Sequence, residues 1–75
     1  MDVTITQDFL GEEEDCEIAS WLVEDGSTVS EGDSIAEIET SKVSVEFAAP
    51  AAGTITFKAH EGDVIGVDQV IAVIE

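Results

Sequence analysis

Few residues in this chain could do chemistry. Lys42, in "EIETSKVSVEF", is one of two lysines facing 18 carboxylates, and it falls at a turn between two strand-like runs. On residue type alone an exposed turn lysine is ordinary. Cys16 is the single cysteine, so it can form no disulfide within the chain. Its acidic neighbours raise a thiol pKa, which makes it an inert thiol. His60, the single histidine, precedes a turn in "KAHEGD" and reads as a solvated loop residue. It stands elsewhere in the repeat frame from Cys16, and no nucleophile-elbow serine occurs. Unaided catalysis needs a nucleophile with a base, or two groups with split pKa values, so no catalytic residue is assigned. The run "GEEEDCE" lacks the alternate-position spacing of a calcium loop, and no metal site is expected. Its residues Gly11, Glu12, Glu13 and Glu14 read as a solvated loop, or as a docking surface for a basic partner. The glycines fit no phosphate-binding pattern and serve as turn residues.

The charge narrows the partners. Seventy-five residues carry a formal net charge of −16 without one arginine. A phosphate backbone or an anionic membrane surface needs cations to displace its counterions, so neither nucleic acid nor membrane is a partner. Charge repulsion keeps the protein solvated, or suits it to basic partners or a high-salt cytoplasm. The 44% apolar content, rich in valine and isoleucine, indicates a folded β core and not a disordered tail. The start of the chain has no basic, apolar leader pattern, and no apolar run approaches the roughly 18 residues of a membrane span. A cytoplasmic, monomeric domain is expected over residues 1–75.

The elements that must position Lys42 follow from an internal repeat. Shifted by 36 residues, 17–39 aligns without a gap on 53–75, with Gly26 on Gly62, Ile35 on Ile71, Ala36 on Ala72, Ile38 on Ile74 and Glu39 on Glu75. Trp21 falls on Phe57, Val23 on Ala59 and Val29 on Ile65. β-Branched alternation punctuated by "DG" and "EGD" predicts short strands, and no glycine-free helical stripe runs for three turns. The expected fold is all-β. Val3, Thr4 and Ile5 match Val43, Ser44 and Val45 at an offset of 40, which leaves four extra residues within "DFLGEEEDC". Two halves of about four short strands each predict a flattened barrel or sandwich with quasi-two-fold symmetry. Lys42 then belongs at one tip and the termini at the other. Trp21 and Phe57 are expected in the core. Pro50 and its flanking alanines are expected to form a crossover between the halves.

With these motifs in place, the chain resembles the lipoyl-attachment domains of the 2-oxoacid dehydrogenase multienzyme complexes. "EIETSK" is similar to the family's E-x-E-T-x-K hairpin, "WLVEDGSTVSEGD" to its W and G-x-x-V-x-x-G-D segment, and "AAPAAGTITFKAHEGDVIGV" to its A-x-x-x-G and E-G-x-x-V-x-V segments. The resemblance implies a flattened barrel of two four-stranded antiparallel sheets. It implies lipoate in amide linkage on Lys42, with Glu39, Thr40, Ser41 and Val43 forming the recognised tip. Ser41 stands where Asp is most common, and Cys16 where Gly is usual in the first loop. The implied role is a non-catalytic swinging-arm carrier of acyl groups and reducing equivalents. Its partners would be a lipoate ligase or a lipoyl/octanoyl transferase, a thiamin-dependent 2-oxoacid decarboxylase, an acyltransferase core and dihydrolipoyl dehydrogenase. Gly11, Glu12, Glu13 and Glu14 would form a loop beside the lysine that partners read. Two alternatives share the fold. A biotinyl carrier domain bears biotin on a lysine within Met-Lys-Met, whereas Lys42 is flanked by Ser41 and Val43; an unmodified barrel-sandwich adaptor bears no prosthetic group.

Overall fold

β-Branched runs bounded by glycine and acidic turns become eight strands in the computed structural model, which describes residues 1–75. The first repeat supplies β2 (Asp15–Trp21), β3 (Thr28–Val29) and β4 (Ser34–Glu39), and the second supplies β6 (Gly53–Phe57), β7 (Val64–Gly66) and β8 (Val70–Ile74). The matched leader segments give β1 (Asp2–Thr4) and β5 (Ser44–Ala48). They assemble into two four-stranded antiparallel sheets, ordered β1-β8-β6-β3 and β5-β4-β2-β7. Exchanging each strand for its repeat mate converts one order into the other, so the quasi-two-fold symmetry holds in the hydrogen-bonded topology. Ala49, Pro50, Ala51 and Ala52 carry the chain from one sheet to the other. Gly53 then enters β6 at φ +148°, where a Cβ would collide with the Glu75 carbonyl. No helix is long and apolar enough to cross a membrane.

The space between the sheets is filled by 16 buried residues, all hydrophobic. Ile35, Ala36 and Ile38 are fully covered, as are their mates Ile71 and Ala72, with Ile74 nearly so. Burying an isoleucine contributes about 1.5–3 kcal/mol, and this core has to hold a small acidic chain together. No buried side-chain polar atom lacks a partner. Strict alternation fails at Ile35 and Ala36, both buried, because the β4–β5 register shifts between Ser34 and Ala36. Such a bulge turns two successive side chains inward and bends the strand around the core.

Trp21 and Phe57 differ from the expectation of simple core packing. They pack against the core only partly buried and stack on each other, with ring centroids 3.9 Å apart and planes inclined by 11°. Equivalent residues that touch must straddle the pseudo-axis. Their backbones confirm it reciprocally: the Trp21 N–H donates to Glu61 Oε2 at 2.9 Å, and the Phe57 N–H donates to Asp25 Oδ1 at 2.9 Å. Cys16 also departs from its expected loop position. It lies in β2, almost wholly buried, with its Sγ 3.7 Å from the Ile65 carbonyl oxygen. Burial first, and Asp15 second, push its thiol pKa up, so the thiol is inert chiefly for want of solvent.

An all-apolar core leaves every carboxylate outside. On the outer face of the β5-β4-β2-β7 sheet, Glu37 lies opposite Glu46 and Glu39 opposite Glu17. Like charges directly opposite across strands destabilise a sheet. Ser34 donates to Glu46 at 3.0 Å and Ser44 to Glu37 at 3.4 Å, which ties the acids down without neutralising them. Replacing Glu46→Lys is expected to raise stability by about 0.5 kcal/mol at low salt. Thermal unfolding of both proteins checks this. The parent's midpoint is expected to rise with added salt, and the gap between the two to shrink by about 1 M, where screening is nearly complete.

Candidate functional site

The hairpin joining β4 to β5 carries Lys42 at its turn, and Thr40 builds that turn. The Thr40 N–H donates to the Val43 carbonyl at 2.8 Å, and the Thr40 hydroxyl donates to the same carbonyl at 3.1 Å. Thr40 Oγ1 in turn accepts from the N–H groups of Lys42 at 3.3 Å and Val43 at 3.2 Å. A short hydroxyl side chain can satisfy backbone groups this way where no ladder reaches them. The lysine backbone is therefore fixed on both sides while its side chain stays 71% exposed. Its nearest charge is Glu12, with Oε2 at 3.9 Å on a side chain that is itself 94% exposed. Such a surface pair holds the ammonium weakly and leaves it open to solvent.

The loop between β1 and β2 buttresses the turn. It contains a helix absent from the sequence reading, α1 (Gln7–Leu10). Four residues cannot be helical alone. This turn is stabilised by the Thr6 cap, whose Oγ1 accepts from the Phe9 N–H at 3.3 Å, and by the buried Leu10. Gly11 stops it at φ +66°. The Gln7 amide then donates to the carbonyls of Gly11 at 2.8 Å and Glu13 at 3.0 Å, which folds the acidic run back toward the hairpin. Ser41 Oγ donates to Glu13 Oε1 at 2.8 Å. Below it the Phe9 ring meets Phe47 edge-on, with centroids 5.0 Å apart.

The structure thus brings together most of the residues singled out in the sequence. Thr40, Ser41, Lys42 and Val43 form the tip, and Glu12 and Glu13 of the loop touch it. Gly11 shapes the loop, Glu14 is exposed beyond the contacts, and Glu39 ends β4 opposite Ser44. Phe9, Leu10, Val45 and Gln7 were missed as parts of the site. Their signal was weak: Thr6 as a cap before "QDFL", and the alternation of Val43, Val45 and Phe47 on one strand face. No group of histidine, cysteine or acidic side chains is placed to hold a metal ion. His60 is exposed, away from the hairpin, beside the Trp21–Phe57 stack.

Comparison with known proteins decides the family. Residues 4–74 match the Biotin_lipoyl family, described as "Biotin-requiring enzyme". The chain belongs to the biotin/lipoyl family. Within it, the chain is 45% identical over 58 residues to the dihydrolipoyllysine-residue succinyltransferase component of a 2-oxoglutarate dehydrogenase complex from Staphylococcus saprophyticus, a match covering 76% of the chain and 14% of that protein. It is 48% identical over 58 residues to the dihydrolipoyllysine-residue acetyltransferase component of a pyruvate dehydrogenase complex from Zymomonas mobilis, covering 75% of the chain and 13% of that protein. The solution structure of the lipoyl domain of the Azotobacter vinelandii 2-oxoglutarate dehydrogenase complex superposes with a TM-score of 0.78 at 28% identity, covering all of this chain and 95% of that one. The chain therefore spans about one seventh of the length of the curated relative from Staphylococcus saprophyticus.

Thr40→Val keeps the β-branched shape and removes the hydroxyl. It is expected to cost about 1 kcal/mol and to speed amide hydrogen exchange at Lys42 and Val43 while leaving the Ile38 amide protected. Urea unfolding and exchange measured by NMR check both parts.

Proposed function

We propose that this domain is a lipoyl carrier whose attachment residue is Lys42. One observation carries the reading: an exposed lysine stands on a turn whose backbone Thr40 fixes by hydrogen bonds on both sides. Its flanking residues support lipoate over biotin, being Ser41 and Val43 and not methionines. So do the relatives, named as dihydrolipoyllysine-residue transferases, and the matched structure, named as a lipoyl domain. The residues present fit an amide-linked group. The ammonium has no strong partner to give up, and its loss of charge on acylation leaves no buried counter-charge unpaired.

Lipoate bound there supplies a dithiolane that carries acyl groups and reducing equivalents between active sites. What the chain itself contributes is presentation. Thr40 holds the turn, so the arm starts from a fixed point and not from a mobile loop. Ser41 and Glu13 join the turn to the acidic loop, so that a partner docking on one also orients the other. Glu12, Glu13, Glu14, Glu39 and the acidic outer face favour enzymes whose entrances are basic, and such complementarity speeds encounter more than it tightens binding. The partners proposed are a lipoate ligase or a lipoyl/octanoyl transferase, which load the lysine, and then a thiamin-dependent 2-oxoacid decarboxylase, an acyltransferase core and dihydrolipoyl dehydrogenase.

Incubation with lipoate ligase, lipoate and ATP is expected to add one lipoyl group by intact mass, and Lys42→Ala is expected to add none. A biotin adduct from biotin ligase in place of the lipoyl group would select the biotinyl alternative, and no adduct from either would select the adaptor. For the loop, Glu12→Gln, Glu13→Gln and Glu14→Gln together are expected to slow reductive acylation by a cognate decarboxylase several-fold, chiefly at low salt. An unchanged rate would remove the loop from partner recognition.

A further inference from the structure

Beside the lysine, between α1 and β5, runs an open groove of about 210 Å³ lined half by Phe9, Leu10, Val43 and Val45 and half by polar groups that include Lys42, Glu12 and Glu13. Two of its walls waste apolar surface: Val43 is 56% exposed and Val45 41%. On a surface whose charge is otherwise so heavily acidic, two exposed valines next to Lys42 form an unusual patch. The strand face explains how they arise. Val43, Val45 and Phe47 alternate onto the side of β5 that faces the core, and Val45 lies opposite the fully buried Ile38. Phe9, one wall of the groove, meets Phe47 edge-on. β5 is an edge strand paired only to β4, so no further strand covers the opening.

We propose that this groove is a berth for the dithiolane end of the arm carried by Lys42 itself. The inference rests on the lipoyl reading of that lysine and adds a resting place for the group on its own domain. The occupant is fixed by where its tether begins, because Lys42 is part of the groove wall. Its size fits: a cavity of about 150 Å³ admits a benzene-sized ring, and the groove exceeds that. Its reach fits, since an arm of about 15 Å built from single bonds near 1.5 Å can fold back over the two residues between Lys42 and Val45. Its charge fits as well. The ammonium that faces Glu12 at 3.9 Å becomes a neutral amide on acylation, which releases the Glu12 side chain from the mouth. The oxidised dithiolane is uncharged, so the rim carboxylates do not oppose it. Docking there covers Val43 and Val45 from water and shelters the ring between visits to partner sites.

The test uses the isotopically labelled 75-residue chain, lipoylated enzymatically and verified by intact mass before any spectrum. Lys42→Gln serves as the reference that removes the charge without adding an arm. The berth predicts amide and methyl shifts at Phe9, Leu10 and Val45 in the lipoylated domain that are absent from Lys42→Gln, with nuclear Overhauser contacts from the dithiolane protons to the Phe9 ring and Val45 methyls. In lipoylated Val45→Ser those shifts are expected to move back toward the Lys42→Gln positions. Shifts confined to Ser41, Lys42 and Val43, without ring contacts, would overturn the berth and leave the carrier reading standing. Concentration-dependent shifts of Phe9 and Val45 in the unmodified chain would assign the groove to a second copy and also overturn it. A chain that accepts no lipoyl group by mass would overturn the carrier reading and the berth together.

Discussion

Everything polar in this domain is placed by a core that admits nothing polar. Sixteen buried residues, isoleucine above all, fill the space between two small sheets and make the one core of these 75 residues. All 18 carboxylates must therefore lie on a surface that two lysines cannot neutralise. At the ends of strands, polar side chains take up backbone groups. Asp25 and Glu61 receive the Phe57 and Trp21 amides across the pseudo-axis, and Thr40 closes the hairpin at Lys42. Each spends a polar side chain on backbone groups that no neighbouring strand could satisfy.

The two-fold symmetry makes the functional end a local departure from it. The quasi-two-fold axis relates the β4–β5 pair, joined by the Lys42 turn, to the β8–β1 pair. The departure is the loop holding α1, and it packs against that hairpin through Ser41–Glu13 and Phe9–Phe47. Symmetric strands supply rigidity, while the asymmetric loop meets the hairpin beside the lysine. A site built this way positions its reacting residue through the scaffold and leaves the side chain itself free.

Much of this was legible in the sequence because it depends on period and repetition. The 36-residue offset located β2 to β4 and β6 to β8, and the same alignment put Lys42 at a turn. What the sequence did not disclose depends on how elements meet. The bulge at Ile35 and Ala36 is set by the curvature of the sheet around the core, so a strict alternation of faces fails there. A four-residue helix is too short to show a 3.6-residue period, and α1 exists only because Leu10 finds the core and Thr6 caps it. Trp21 and Phe57 were recognisable as mates, but their mutual stacking requires knowing where the axis passes. Cys16 looked like a loop residue amid acids, and only the pairing of β2 with β7 buries it. The walls of the groove, Phe9 and Val45, stand far apart in sequence and come together through the packing of α1 on β5.

On the carrier reading proposed above, turn geometry, and not merely the presence of an amine, selects the lysine that is modified. Exchanging neighbours, Ser41→Lys with Lys42→Ser, keeps composition and net charge while moving the amine one position along the turn, onto the side that faces Glu13. Peptide-level mass spectrometry after treatment with lipoate ligase reads the outcome. The exchanged protein is expected to remain folded and to acquire no lipoyl group, at position 41 or on Lys58. Efficient lipoylation at position 41 would contradict that reading.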